Sequence, residues 1–117
     1  MVNISTELGS ISITSEVFTN IAGAAATSCF GVKGMAGRNK EGGPRQLLRR
    51  ESMSKGVITH LNDDGTLSLE LHIGVDNGVN ISAVCRSIIK EVRYKVAKAT
   101  GVPVKSVDVY VDTVIVG

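Results

Sequence analysis

The sequence predicts an α+β domain, β-α-β-β-α-β, with two helices packed on one face of a four-stranded sheet. Three observations carry this expectation. Thr66 to Val75 alternates apolar and polar residues almost without fault, as a strand with one covered face does. Two stretches, near residues 15–32 and 81–96, repeat apolar residues at helical spacing. Between two strand-like runs, Asn62-Asp63-Asp64-Gly65 carries an Asp-Gly hairpin signal. The order is that of the split βαβ arrangement, and 117 residues suit a single domain over 1–117.

Each element follows from local residues. Gly9-Ser-Ile-Ser-Ile13 alternates with period two and predicts a short first strand. Thr14 or Ser15 is placed to cap the first helix, with Glu16 favourable in its first turn. Val17, Ile21, Ala24, Ala25, Cys29 and Val32 form its expected apolar stripe, with Gly31 the expected residue just past its end. From Gly34 to Lys55 the periodicity dissolves, so residues 33–55 read as a basic, loop-rich insertion. Within it, Pro44 is suited to open a short helix anchored by Leu47 and Leu48.

Val57–Leu61 and Thr66–Val75 form the expected hairpin, with Leu67, Leu69, Leu71, Ile73 and Val75 on one face and Ser68, Glu70, His72 and Gly74 on the other. Asn80 is placed to cap the second helix, whose stripe is Ile81, Val84, Cys85, Ile88, Ile89, Val92 and Val96. Glu91 and Lys95 make an i,i+4 pair. Thr100-Gly101 ends that helix, and Pro103 enforces the stop. Val104–Val116 is the last strand, with Val107, Val109 and Val111 inward and Ser106, Asp108, Tyr110 and Asp112 outward.

Composition narrows the function classes. Aromatic residues are 3% of the chain and there is no tryptophan, so the core is aliphatic and base-stacking platforms are disfavoured. Net charge is only +2, but seven cations (Lys33, Arg38, Lys40, Arg45, Arg49, Arg50, Lys55) gather in 33–55 against Glu41 and Glu51. Two cysteines without a CxxC make neither a disulfide framework nor a zinc site. The first residues lack the basic and apolar regions of a signal peptide, and no apolar run is long enough to span a membrane. A cytoplasmic protein is expected.

Several features compete as functional sites. Gly31, Gly34 and Gly37 with Lys33 resemble a phosphate loop only superficially. Such a loop precedes a helix and carries Lys-Ser/Thr after its last glycine, whereas these glycines follow a helix. Gly34 and Gly37 are read instead as joints of an exposed loop. Cys29 and Cys85 fall on apolar stripes and are expected as buried, reduced thiols; a reactive thiol needs a nearby base and an electropositive setting. If the last strand pairs near the hairpin, Glu70, His72, Asp108, Tyr110 and Asp112 cluster into a metal or acid–base candidate. The competing expectation is a solvated polar face. His60 is read as a rim residue. The partner-binding candidates are Lys33, Arg38, Arg45, Arg49 and Arg50, with Arg86, Lys90 and Arg93 repeating along the second helix. The simplest alternative is a solvating charge run.

The chain also resembles a known family. Gly9-x-Ile-x-Ile13 followed by Glu16-Val17 and Ile21-Ala22, then Cys29-Phe30-Gly31-Val32-x-Gly34-Met35, Gly56-Val57 and the Leu67–Val75 strand, are similar to the alkaline-shock-protein family of Gram-positive bacteria. Asn77-Gly78, Glu91-Val92-x-Tyr94, Thr100-Gly101 and Val107-Asp-Val-Tyr-Val111 complete the resemblance, which runs from about Gly9 to Val116. Cys29-Phe30-Gly31-Val32 and Arg49-Arg50 place it nearest the small YloU-like branch, also described as envelope stress response proteins. The resemblance implies a protein of envelope homeostasis and stress without catalytic residues or cofactor. It would be cytoplasmic, reaching the membrane only indirectly, through a small membrane protein partner. A lipid-metabolic enzyme as partner and self-association are further expectations. The alternatives are a nucleic-acid-binding module using 33–55, which the small net charge disfavours, and a regulatory subunit of a lipid-metabolic kinase.

Overall fold

The computed structural model describes residues 2–38, 45–47 and 56–116. Its elements run β1 (Val2–Thr6), β2 (Gly9–Ile13), α1 (Ser15–Thr27), β3 (Val32–Arg38), β4 (Arg45–Leu47), β5 (Val57–Leu61), β6 (Leu67–Asp76), α2 (Ile81–Thr100) and β7 (Val104–Ile115). The expected α+β class and order hold. Both helices pack over a sheet of β3, β5, β6 and β7, and the three-residue β4 pairs with the end of β3.

β6 is the hub. Its alternation puts Leu67, Leu69, Leu71, Ile73 and Val75 into the core, all at most 1% exposed, against Val84, Ile88, Val92 and Val96 of α2 and Phe18, Ala22, Ala25 and Ala26 of α1. Along one edge β6 pairs in parallel with β7 over its whole length, from Leu67 opposite Val104 to Asp76 opposite Ile115. Parallel pairing requires a long crossover, which α2 supplies. The other edge is divided. β5 occupies the first half, Leu67 to Leu71, and β3 pairs with Ile73 to Val75.

That division explains the course of β3. Past Met35 it would continue alongside His72 and Leu71, but β5 already holds that edge. From Ala36 onward β3 pairs instead with β4. Both β3 and β4 also approach β7, which lies beyond β6. The β3–β4 ribbon therefore leaves the edge of β6 and runs toward β7. Gly56 sits at the junction, where an added Cβ would lie 2.9 Å from Ala36 O, His72 O and Met35 Cβ.

Several local expectations change. The Gly9–Ile13 strand forms but pairs with Val2–Thr6 in a separate hairpin, and β3 takes its place in the main sheet. Gly34 is no loop joint: it is buried in β3 and paired with Gly74, beside a register shift that glycine accommodates. Gly37 likewise lies within β3, opposite Gln46. Residues 45–47 form a strand, not the expected helix, while Pro44 and Leu48 lie outside the described residues.

The α1 stripe is displaced by about one residue. Phe18, Ala22, Ala25 and Ala26 are buried, whereas Val17 and Ala24 are exposed, because the only large aromatic on the helix claims the core. α1 ends at Thr27 with Ser28 as its C-cap, so Gly31 (φ +88°) belongs to the following turn and not to the helix cap. Thr14 is the N-cap residue, but its side chain makes no capping bond. The α2 boundaries agree: Asn80 accepts from the Ala83 amide at 3.0 Å, and Gly101 closes the helix at φ +76°. Ile81, at the head of the expected α2 stripe, is exposed.

Gly56→Ala is expected to destabilise the domain by about 2–3 kcal/mol, since the contacts around the new methyl are mainly backbone atoms that cannot step aside. The check is a lower urea midpoint with an unchanged m-value.

Candidate functional site

The face of the sheet away from the helices holds the most concentrated chemistry. Parallel β6–β7 pairing sets Glu70 beside Asp108 and His72 beside Tyr110. The sequence-predicted cluster therefore forms. His72 Nδ1 lies 2.9 Å from Asp112 Oδ2, and Nε2 lies 3.1 Å from Glu70 Oε2. The Tyr110 ring stacks on the imidazole, centroids 4.9 Å apart at 15°.

The expectation of a solvated face fails at His72, which is only 6% exposed. Its ring is held between the two carboxylates and stacked on Tyr110. Ionised carboxylates only accept hydrogen bonds, so both are made at once only with a proton on each ring nitrogen or on one carboxyl. While those bonds hold, neither nitrogen has a lone pair to offer a metal. Among the described residues no group of three or more His, Cys, Asp or Glu is arranged to hold an ion. The arrangement is a polar clamp joining β6 to β7. The charge of Glu70, then burial and the Asp108 charge, hold the Tyr110 hydroxyl above the usual phenol range.

The thiols do not form a reactive centre. Cys29 and Cys85 are free and half-buried rather than fully buried. Burial, assisted by the Glu91 carboxylate and opposed by Lys95, pushes the Cys29 thiol up, and burial alone raises Cys85. The Cys29 thiol also donates to the Ala25 carbonyl at 3.5 Å. His60 is exposed at the rim, as expected.

The basic candidates divide between two layers. Arg86, Lys90 and Arg93 are exposed on the outward side of α2, opposite its buried stripe. Lys33 is exposed on β3 and pairs with Asp76 at 3.4 Å. Arg38 and Arg45 are backbone register partners in the β3–β4 ribbon. Arg49 and Arg50 lie outside the described residues. No signal within a single segment could have shown β3 leaving β6 at Ala36, because it arises from competition between β3 and β5 for one edge.

Comparison with known proteins agrees with the sequence resemblance. The profile of the alkaline-shock-protein family, described as having a cell envelope-related function, matches residues 3–116. The chain is 35% identical over 114 residues to the uncharacterized protein YloU of Bacillus subtilis, covering 97% of this chain and 94% of that one. It is 33% identical over 114 residues to the uncharacterized protein Spy1614 of Streptococcus pyogenes serotype M6, covering 97% and 93%. No solved structure matches the chain.

Two outcomes are expected. His72→Leu, which takes away the donor shared by Glu70 and Asp112, should cost about 2 kcal/mol in chemical denaturation, and His72→Gln, which can still donate one bond, should cost less. Because a raised pKa means less thiolate at a given pH, both cysteines should react with iodoacetamide more slowly than a free thiol at pH 8. Their rates should rise only at higher pH, as followed by mass spectrometry.

Proposed function

The chain belongs to the alkaline-shock-protein family, whose function is cell envelope-related, and we propose that it is a non-catalytic scaffold or regulatory protein of envelope homeostasis and stress. In this reading it works through protein partners at the cytoplasmic side of the membrane. No described helix is long and apolar enough to cross a bilayer, so attachment by a partner is consistent with the fold.

The observation that carries the reading is β7. It runs twelve residues, Val104 to Ile115, and among the described residues it pairs with a neighbouring strand only through β6. A strand of that length offers a row of backbone N–H and C=O groups to an incoming strand. Tyr110 and Val114 on it are 46% and 42% exposed. A second copy of the chain or a partner strand fits this edge equally in chemistry.

The test is to capture the tagged chain from separated membrane and soluble fractions, with and without nuclease, and to identify bound proteins by mass spectrometry. A membrane protein or lipid-metabolic enzyme retained through nuclease, and lost with Val114→Lys, is the expected result. Ribosomal or nucleic-acid proteins that disappear with nuclease would overturn the reading in favour of a nucleic-acid module.

A further inference from the structure

The outer layer formed by the two helices is basic. The helix layer carries Arg86, Lys90, Arg93, Lys95 and Lys98 against only Glu16 and Glu91, a net charge of +3. In the helix layer Lys95 is the one cation with a carboxylate partner among the described residues, Glu91 at 3.2 Å. Arg86, Lys90 and Arg93 have none among the described residues. From Arg86 to Lys98 the cations occupy about 18 Å of a single helix at the standard rise per residue.

The cations adjoin apolar surface. A shallow cleft of about 450 Å³ opens between the helices, lined by Ile21 of α1 and by Tyr94, Lys95, Lys98 and Ala99 of α2. Tyr94 is 58% exposed and Val17, one turn before Ile21, is 42% exposed. Lys98 extends over the Tyr94 ring, 5.4 Å from its centroid, and its ammonium reaches the Tyr94 hydroxyl at 3.3 Å. An ammonium and a phenol reaching out together beside aliphatic side chains is the pattern of an interfacial surface, where apolar stems sit below charged heads.

We infer that the outer face of the α1–α2 layer binds an anionic lipid bilayer directly, with Arg86, Lys90, Arg93 and Lys98 on phosphate headgroups and Tyr94 at headgroup level. Charge complementarity favours this occupant, and the neighbouring apolar strip favours it over nucleic acid, whose backbone would leave Val17 and Ile21 without a partner. The envelope-related family places such a surface within reach. This contact goes beyond attachment through a protein partner and needs none, so its failure leaves the partner-based reading standing.

The experiment is co-sedimentation of the full chain with vesicles of phosphatidylcholine containing 30% phosphatidylglycerol, against pure phosphatidylcholine vesicles, at low and high salt. The expected result is binding to the anionic vesicles alone, weakened by salt. A basic residue near an anionic leaflet contributes about fivefold in partitioning. The triple change Arg86→Glu, Lys90→Glu and Arg93→Glu should therefore lose at least about a hundredfold. Lys105→Glu, a charge reversal of the same kind at one exposed position of β7, should retain most of the binding. Circular dichroism confirms that each variant is folded, and Tyr94→Ser, which keeps the charge, gives a second reading through a smaller loss. No binding of the native chain to anionic vesicles, or equal binding by the triple variant, overturns the inference. So does complete displacement by an equal charge of single-stranded DNA that the chain binds more tightly.

Discussion

Two strands compete for one edge of β6, and the rest of the fold is arranged around that competition. β5 arrives by a tight turn and takes the first half of the edge. β3 is left only the stretch from Ile73 to Val75 and must leave the sheet at Ala36. The meeting point admits no side chain, which is why Gly56 stands there. Once β3 is turned aside, it pairs with β4, and the two approach β7 instead of continuing along β6. The opposite edge of β6 stays open along its length and receives β7, which brings Asp112 onto His72.

Much of this was legible in the sequence because it is local. The β5–β6 hairpin announces itself through Asp64-Gly65 and five alternating aliphatic residues. α2 announces itself through its cap, its stripe and Gly101. The parts that were hidden share a physical cause. In β3 the positions that would have shown alternation are glycines and a lysine, so a strand held by backbone pairing looks like a loop. α1 is rich in small residues, and a run of alanines has no unique inward direction until Phe18 fixes it. The first hairpin exposes most of its residues, so burial left little imprint on its pattern.

The candidate site was legible in membership but not in character. Alternation placed Glu70, His72, Asp108, Tyr110 and Asp112 on one face, and parallel pairing made them neighbours. Of the five only His72 is buried, and the His72–Asp112 bond joins residues 40 positions apart. A histidine between two carboxylates under an aromatic ring is a structural fastener across the β6–β7 seam. It satisfies its own hydrogen-bonding capacity and leaves little for a ligand. The basic outer face of the helix layer could be read only in part from the sequence. Arg86, Lys90 and Arg93 were visible as a stripe, but the apolar cleft beside them needs Ile21 from the other helix.

The parallel pairing of β6 and β7 also bears on the order in which the chain becomes structured. β5 and β6 are joined by a short turn and can meet early, as can the turns of α2. β6 remains open on its other edge until α2 and then β7 have been made. During synthesis the central, most deeply buried of the described strands therefore waits half paired, with its free edge available to any passing strand. The exposure ends only when β7 aligns along all ten residues of β6. The vulnerable period in the life of this fold thus falls between the synthesis of its centre and the arrival of the strand that closes it.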